Sequence, residues 1–205
     1  MNRLVELLES LVAFLKSFFI PAVEMKPPAP APPKEPVKVE PPQPPPEPEK
    51  PKWHEPIHPD KFRITQRFFN PDPETYKKTG HHPGTDYGTQ GTDNIPLYYC
   101  ADGEVIESGI NQYFGNYFFY YVQEVDRTFV YFHLRDAAPA KGQHKAGEQC
   151  GITGNTGLSF GIHLHLECMK GKQTSVDRSR LYFSADALAT AAEDPDPIIR
   201  AKLHK

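Results

Sequence analysis

The sequence has few cysteines and no CxxC pair: Cys100, Cys150 and Cys168 lie far apart. That spacing argues against a thiolate zinc site, and the three read as small buried thiols. It has no basic block either. Its 23 Lys and Arg are scattered among 26 Asp and Glu, for a formal net charge of −3. Neutralising phosphates needs concentrated positive charge, so nucleic acid is not an expected partner. No charge-free apolar run of the roughly 20 residues a membrane span prefers is present. The most apolar segment, Leu4 to Val23, is interrupted by Glu6, Glu9 and Lys16. Arg3 is its only cation before Lys16 and no small-residue cleavage site follows, so it is not read as a secretory signal. No internal repeat is visible.

What is present divides the chain into regions. Leu4, Leu8, Leu11, Leu15 and Phe18 recur at helical spacing, which predicts a helix with an apolar stripe over residues 1–25. We read it as an amphipathic membrane-surface or self-associating helix. An uncleaved membrane anchor and a helix packed on a partner protein are the alternatives. Residues 26–60 read as a proline-rich linker: from Pro27 to Pro51, 13 of 25 residues are proline. Proline has no N–H and a fixed φ, so the segment prefers an extended polyproline II spacer; a ligand for proline-binding modules is the rival reading. From about Lys61 to Lys170 short aromatic and β-branched runs alternate with Gly and Asn. They predict strands at Arg63–Phe69, Leu97–Ala101, Val105–Ile110, Tyr117–Val125, Phe129–Leu134 and Ile162–Met169. The expected fold is mainly β and antiparallel, not alternating βαβ. The extension 171–205 reads as partly helical, with Ala185–Glu193 as one short helix and Asp196 capping another before Pro197.

Four of the nine histidines and one aspartate carry the chemistry. His163 and His165 fall in a strand pattern, where alternate side chains share a face. Leu164 and Leu166 would then point to the core. His82 and Asp86 flank Pro83-Gly84, a bend that would bring the two side chains together. One imidazole, one carboxylate and a second imidazole from a distant strand suit zinc, and three protein ligands leave a fourth position for water. His133 lies in Val130-Tyr131-Phe132-His133-Leu134, and strict alternation puts it on the same face as Tyr131. His81 reads as a flank. His54, His58, His144 and His204 read as solvated residues of linker or loops.

Ile64-Thr65-Gln66, His82-Pro83-Gly84-Thr85-Asp86-Tyr87-Gly88, Ala101-Asp102-Gly103-Glu104-Val105, Tyr131-Phe132-His133-Leu134 and Gly151-Ile152-Thr153-Gly154-Asn155-Thr156-Gly157, leading into Gly161-Ile162-His163-Leu164-His165-Leu166-Glu167, together resemble the lysostaphin-like, or LytM-type, zinc metallopeptidases. The resemblance implies a compact antiparallel β domain over 61–170 with a groove across its sheet. It implies one zinc ion held by His82, Asp86 and His165, with His163 as general base and His133 stabilising the tetrahedral intermediate. Glu167 is read as a partner for the free N–H of a ligand histidine. The implied function is hydrolysis of peptide bonds in bacterial cell-wall peptidoglycan, at the stem or cross-bridge, in the cell envelope or periplasm. Ile64-Thr65-Gln66, with Asn70-Pro71 and Tyr76, is similar to phage and prophage members and points to an endolysin role. A non-catalytic relative regulating another wall hydrolase, and a tethered virion or envelope component, are the competing readings.

Overall fold

The computed structural model describes residues 52–204 together with Glu9. The expected N-terminal helix, Glu9 apart, and the proline-rich stretch up to Pro51 lie outside the described residues. No helix among the described residues is long and apolar enough to cross a membrane. Residues 52–204 belong to one compact unit.

That unit is mainly β. Its strands are β1 (Arg63–Gln66), β2 (Thr85–Gly88), β3 (Pro96–Tyr98), β4 (Gly103–Asn111), β5 (Gly115–Val122), β6 (Arg127–Leu134), β7 (Gly142–His144), β8 (Gln149–Ile152), β9 (His163–Lys170) and β10 (Ala192–Glu193). Three helices follow β9: α1 (Ser175–Leu181), α2 (Ala185–Ala191) and α3 (Pro195–Leu203). The main sheet runs β1-β2-β9-β6-β5-β4-β7, while β3 and β8 form a separate pair. Every pairing is antiparallel. β2 and β10 share one edge of β9, and β6 takes the other.

The sheet has two unlike faces because its strands alternate with period two. On one face Tyr87, Phe118, Tyr120, Phe129, Tyr131, Leu164, Leu166 and Cys168 form the larger core. Trp53, Ile57, Leu97 and Ile199 close it. A fully buried leucine such as Leu164 or Leu166 contributes about 1.5–3 kcal/mol by leaving water. On the other face Phe119, Val130, Phe132 and Met169 pack against Tyr182, Leu188 and Ala192. Helices α1 and α2 thus cover part of that face, and the site opens beside them.

Several expectations differ from what is seen. Trp53 and Ile57, within the stretch read as linker, are buried and bridge to Ala101 and Leu97. The helix read as Ala185–Glu193 stops at Ala191, because Ala192 and Glu193 pair with Met169 and Cys168 as β10. Asp194, not Asp196, caps α3: its carboxylate accepts from Asp196 N at 3.1 Å, and Pro195 takes the first turn. The run Asp194-Pro195-Asp196-Pro197 offers the same Asp-Pro signal twice. Asp194 wins because it also accepts from Thr85 Oγ1 at 2.9 Å.

Candidate metal centre

β9 supplies the floor of the site. Leu164 and Leu166 are buried in the larger core, so His163, His165 and Glu167 face the other way. Asp86 lies directly across from His165 in the β2–β9 ladder, where paired Cβ atoms are about 5 Å apart. His82 precedes β2 on the Pro83-Gly84 bend. A Cβ on Gly84 would meet Leu166 O at 2.5 Å and His165 Nε2 at 2.9 Å, so only glycine lets the bend lie against the strand that carries His165.

The structure brings His82, Asp86 and His165 together. His165 Nδ1 lies 2.8 Å from Asp86 Oδ1, His82 Nε2 lies 3.1 Å from His165 Nδ1, and His82 Nε2 lies 3.3 Å from Asp86 Oδ1. Tetrahedral zinc with bonds of about 2.0–2.1 Å needs donors about 3.3–3.4 Å apart. The set therefore fits one zinc ion with little adjustment. The far nitrogens fix which atoms face the site. His82 Nδ1 donates to Arg67 O at 3.1 Å, freeing Nε2. His165 Nε2 donates to Glu167 Oε1 at 3.2 Å, freeing Nδ1. In both rings the tautomer follows from the hydrogen-bond partner.

Two more imidazoles adjoin this set. His163 Nδ1 donates to Gly161 O at 2.8 Å, and its Nε2 lies 3.6 Å from Asp86 Oδ1. His133 Nδ1 donates to Thr156 O at 2.7 Å, and the His133 and His163 ring centroids are 5.0 Å apart. Each ring is pinned at Nδ1 and left with an Nε2 lone pair. His133 arrives here by breaking the alternation expected of it. Tyr131 and Leu134 are in the larger core, whereas Phe132 and His133 both turn to the site. The β5–β6 register slips between Asn116 and Phe118, and His133 has φ +62°. Such a bulge re-aims a side chain, and histidine tolerates the left-handed region better than most residues. Tyr131 and His133 therefore do not share a face, contrary to strict period two.

The charges follow from burial and partners. Burial opposes the charge of Asp86, but its contacts with His165 and His82 outweigh it and hold the carboxyl far below its usual range. Burial likewise opposes the charge of His165, and Asp86 and Glu167 reverse this to give about 9 in the metal-free site. Burial, reinforced by the neighbouring His165 and His163, pushes His133 down to about 3. His163 is also lowered, chiefly by burial. The two outer imidazoles are thus neutral acceptors while the ligand set carries the charge.

Three participants carried no mark in the sequence as members of the site. Tyr76 lies in an irregular loop, with its ring centroid 5.5 Å from His82. Its hydroxyl stays protonated because burial and then Asp86 raise its pKa. Phe132 stacks on His165 at 5.3 Å. Arg178 reaches Glu167 from α1. No periodicity or motif links Tyr76 or Arg178 to the histidines, and Phe132, although next to His133 in sequence, would face away from it under strict alternation. His81, by contrast, stacks on Phe69 at 4.2 Å, outside the metal set. His144, read as solvated, is half-buried and stacks on Tyr99 at 4.5 Å.

The site lies in a groove. A cavity of about 410 Å³ lined by Gln66, Asp72, Tyr76, Asp86, Phe160 and His163 adjoins it. Another of about 370 Å³, lined by Tyr76, Tyr113, Phe114, Phe132, His165 and Tyr182, lies beside it. A larger cavity of about 680 Å³ lies elsewhere, near Asp102, Glu104, Lys145 and Lys172. Its charges pair with one another, Lys145 with Asp102 and Lys172 with Glu104, each at 2.7 Å. It contains none of the candidate metal-site histidines; His133, His163 and His165 line the groove instead.

Residues 80–178 match the model of peptidase family M23. Over 115 residues the chain is 36% identical to the peptidoglycan DD-endopeptidase ShyA of Vibrio cholerae, covering 52% of this chain and 25% of that protein. The chain thus spans about a quarter of the length of that relative. The catalytic domain of lysostaphin from Staphylococcus simulans superposes with a TM-score of 0.54 at 22% identity, over 69% of this chain and 94% of that one. The structure of LytU gives 0.52 at 25% identity, over 73% and 91%. The lysostaphin likeness shows that the fold is shared.

Proposed function

We propose that this chain, which carries a peptidase family M23 domain, is a zinc metalloendopeptidase that hydrolyses peptide bonds in bacterial cell-wall peptidoglycan. The observation that carries this reading is the buried His82–Asp86–His165 set, with two neutral imidazoles aimed at the same spot. The peptidoglycan endopeptidase relative supports the choice of substrate and, with it, a setting in the cell envelope.

Zinc, when bound by His82, Asp86 and His165, lowers the pKa of a water and polarises a carbonyl. The chain's own groups do the rest. His163 takes the proton of the attacking water at Nε2, and its Nδ1 bond to Gly161 O keeps the ring in place. It then returns that proton to the leaving amine. His133 faces the oxygen that gains charge. Its Nδ1 bond to Thr156 O holds the ring there. Tyr76, held protonated, offers a further donor beside His82. The flanking cavities hold the peptide on either side.

The apolar stripe from Leu4 to Phe18 and the proline spacer add the proposal that the domain is tethered at a membrane surface. Similarity of the Ile64-Thr65-Gln66 opening to phage members adds release of phage as its setting.

The test is fragment mass spectrometry and turbidity loss on purified peptidoglycan with the full chain. It is run with zinc, after chelation, and as His163→Ala. New amine ends that vanish in the last two conditions are expected, and their identity names the bond. A zinc-loaded chain that leaves every wall type intact would overturn the enzyme reading.

A further inference from the structure

We propose that Arg178, on α1, is a positioning residue for the metal centre, acting through Glu167 on the His165 ring. The proposal rests on reading His82, Asp86 and His165 as the zinc ligands.

Glu167 is fully buried, on the site face of β9. A carboxylate there is costly unless it is paired and hydrogen-bonded. Its partners are few and specific. Arg178 Nε donates to Oε2 at 2.8 Å, Arg178 Nη2 donates to Oε1 at 2.5 Å, and His165 Nε2 donates to the same Oε1 at 3.2 Å. The guanidinium fork therefore sets the position of the oxygen that holds the far side of the His165 ring. A planar two-point grip fixes a carboxylate in direction as well as distance, which an ammonium cannot do.

The fork is itself held. The Arg178 guanidinium carbon lies 4.7 Å from the Tyr182 ring centroid, 5.0 Å from Phe114 and 5.5 Å from Phe132. Phe132 also stacks on His165 at an interplanar angle of 8°. Arg178 thus reaches the ligand by two routes, a hydrogen-bonded one through Glu167 and a packed one through Phe132. The seat of α1 has other supports. Thr174 and Asp177 form a capping box, Ser175 N donates to Glu107 Oε2 at 3.0 Å, and Gln173 N donates to Thr128 Oγ1 at 3.0 Å. Removing the guanidinium need not release the helix.

A helix outside the sheet therefore completes the outer shell of the metal centre. Groups in that position typically change metal affinity 10- to 100-fold when lost. A clamp that merely ties α1 to the sheet would change melting and leave zinc alone.

The experiment measures zinc affinity by competition with a chromophoric chelator, alongside thermal unfolding of the metal-free full chain. The variants are Arg178→Lys and the double variant Glu167→Gln with Arg178→Met. The double variant removes both charges together, so no lone buried ion remains to unfold the chain. It is expected to melt as a folded protein and to bind zinc about 10- to 100-fold more weakly. Arg178→Lys keeps the charge and loses the fork, and is expected to fall between the double variant and the parent. A folded double variant with the parent's zinc affinity would overturn the proposal while leaving the peptidase reading intact. If the double variant does not fold, Arg178→Lys decides alone: weaker zinc binding supports the proposal and parent affinity overturns it. A parent chain that binds no zinc would overturn both this proposal and the function on which it rests.

Discussion

β9 carries two kinds of burial on one strand. Leu164, Leu166 and Cys168 on one side and His165 and Glu167 on the other are all withdrawn from water. The apolar side is held by area and shape, a force without direction. The polar side is held by directed pairs in which each buried group needs a named partner. The apolar side should therefore govern how stable the sheet is, and the polar side what it binds. The sharpest break of that comparison is His165→Ala against His163→Ala. Losing His165 should lower zinc affinity by more than the roughly 100-fold seen when outer-shell partners are lost. His163→Ala should keep the metal and lose about 10²–10⁴ in turnover. Metal content by mass spectrometry and cleavage of wall fragments separate the two. If His163→Ala loses zinc and His165→Ala keeps it, the roles are reversed.

The converse cut is Leu164→Ala. It empties a fully buried position between the histidines in sequence but opposite them in space. It should cost about 2–5 kcal/mol of stability by the usual large-to-small rule. Denaturant unfolding of the metal-free chain reads the cost, and chelator competition should show zinc affinity close to the parent's. A large loss of zinc affinity in a folded Leu164→Ala chain would mean that the two faces are not separable.

The same comparison explains what was legible in the sequence. His163, His165 and the two intervening-face leucines were readable because β9 keeps strict period two, and period two shows in the letters. The antiparallel β class was readable for the same reason. His133 was readable as a candidate but not in its direction, since the bulge that turns it depends on the register of β5, a neighbouring strand. Trp53 and Ile57 were hidden by surrounding prolines, although both fill the larger core. Arg178 was hidden by chain distance: it meets Glu167 from another element, and no spacing rule joins a strand to the helix that packs beside it. β2 was read as part of a motif rather than as a strand, because its four residues are too few to show alternation.

Acid should sharpen the contrast, since only the polar face titrates. Burial would raise the Glu167 carboxyl, but Arg178 and then His165 reverse this and lower it from 4.5 to about 2. A lowered carboxyl stabilises the fold fully above its unfolded value and loses that contribution as pH falls through the folded one. The metal-free chain should therefore lose on the order of 3 kcal/mol between about pH 4.5 and 2 from this group. His165, raised from 6.5 to about 9, has the opposite sign. Its contribution is present below pH 6.5 and lost as pH rises through 9. The two share one contact and so do not add. Denaturant midpoints of the metal-free chain across pH 3 to 10 should trace a plateau with a loss on either side. Glu167→Gln paired with Arg178→Met should flatten the acid side, and an acid limb unchanged in that variant would assign it to other carboxylates.

The smallest effect is expected at the rim, where neither kind of burial operates. Phe160 is 86% exposed and lines the groove near His163 and Asp86. An exposed side chain adds little to stability, so Phe160→Ser should shift unfolding by no more than about 0.5 kcal/mol. Its ring gains apolar contact only when peptide lies in the groove. Partial burial of a phenylalanine is worth about 1 kcal/mol, or roughly fivefold in affinity. Because that contact is the same before and during the reaction, it should appear as a higher KM with kcat unchanged. Steady-state kinetics on soluble wall fragments reads the split. A fall in kcat at constant KM would instead place Phe160 against the reacting bond, and the groove would then run closer to the Leu158–Gly161 loop than the flanking cavities indicate.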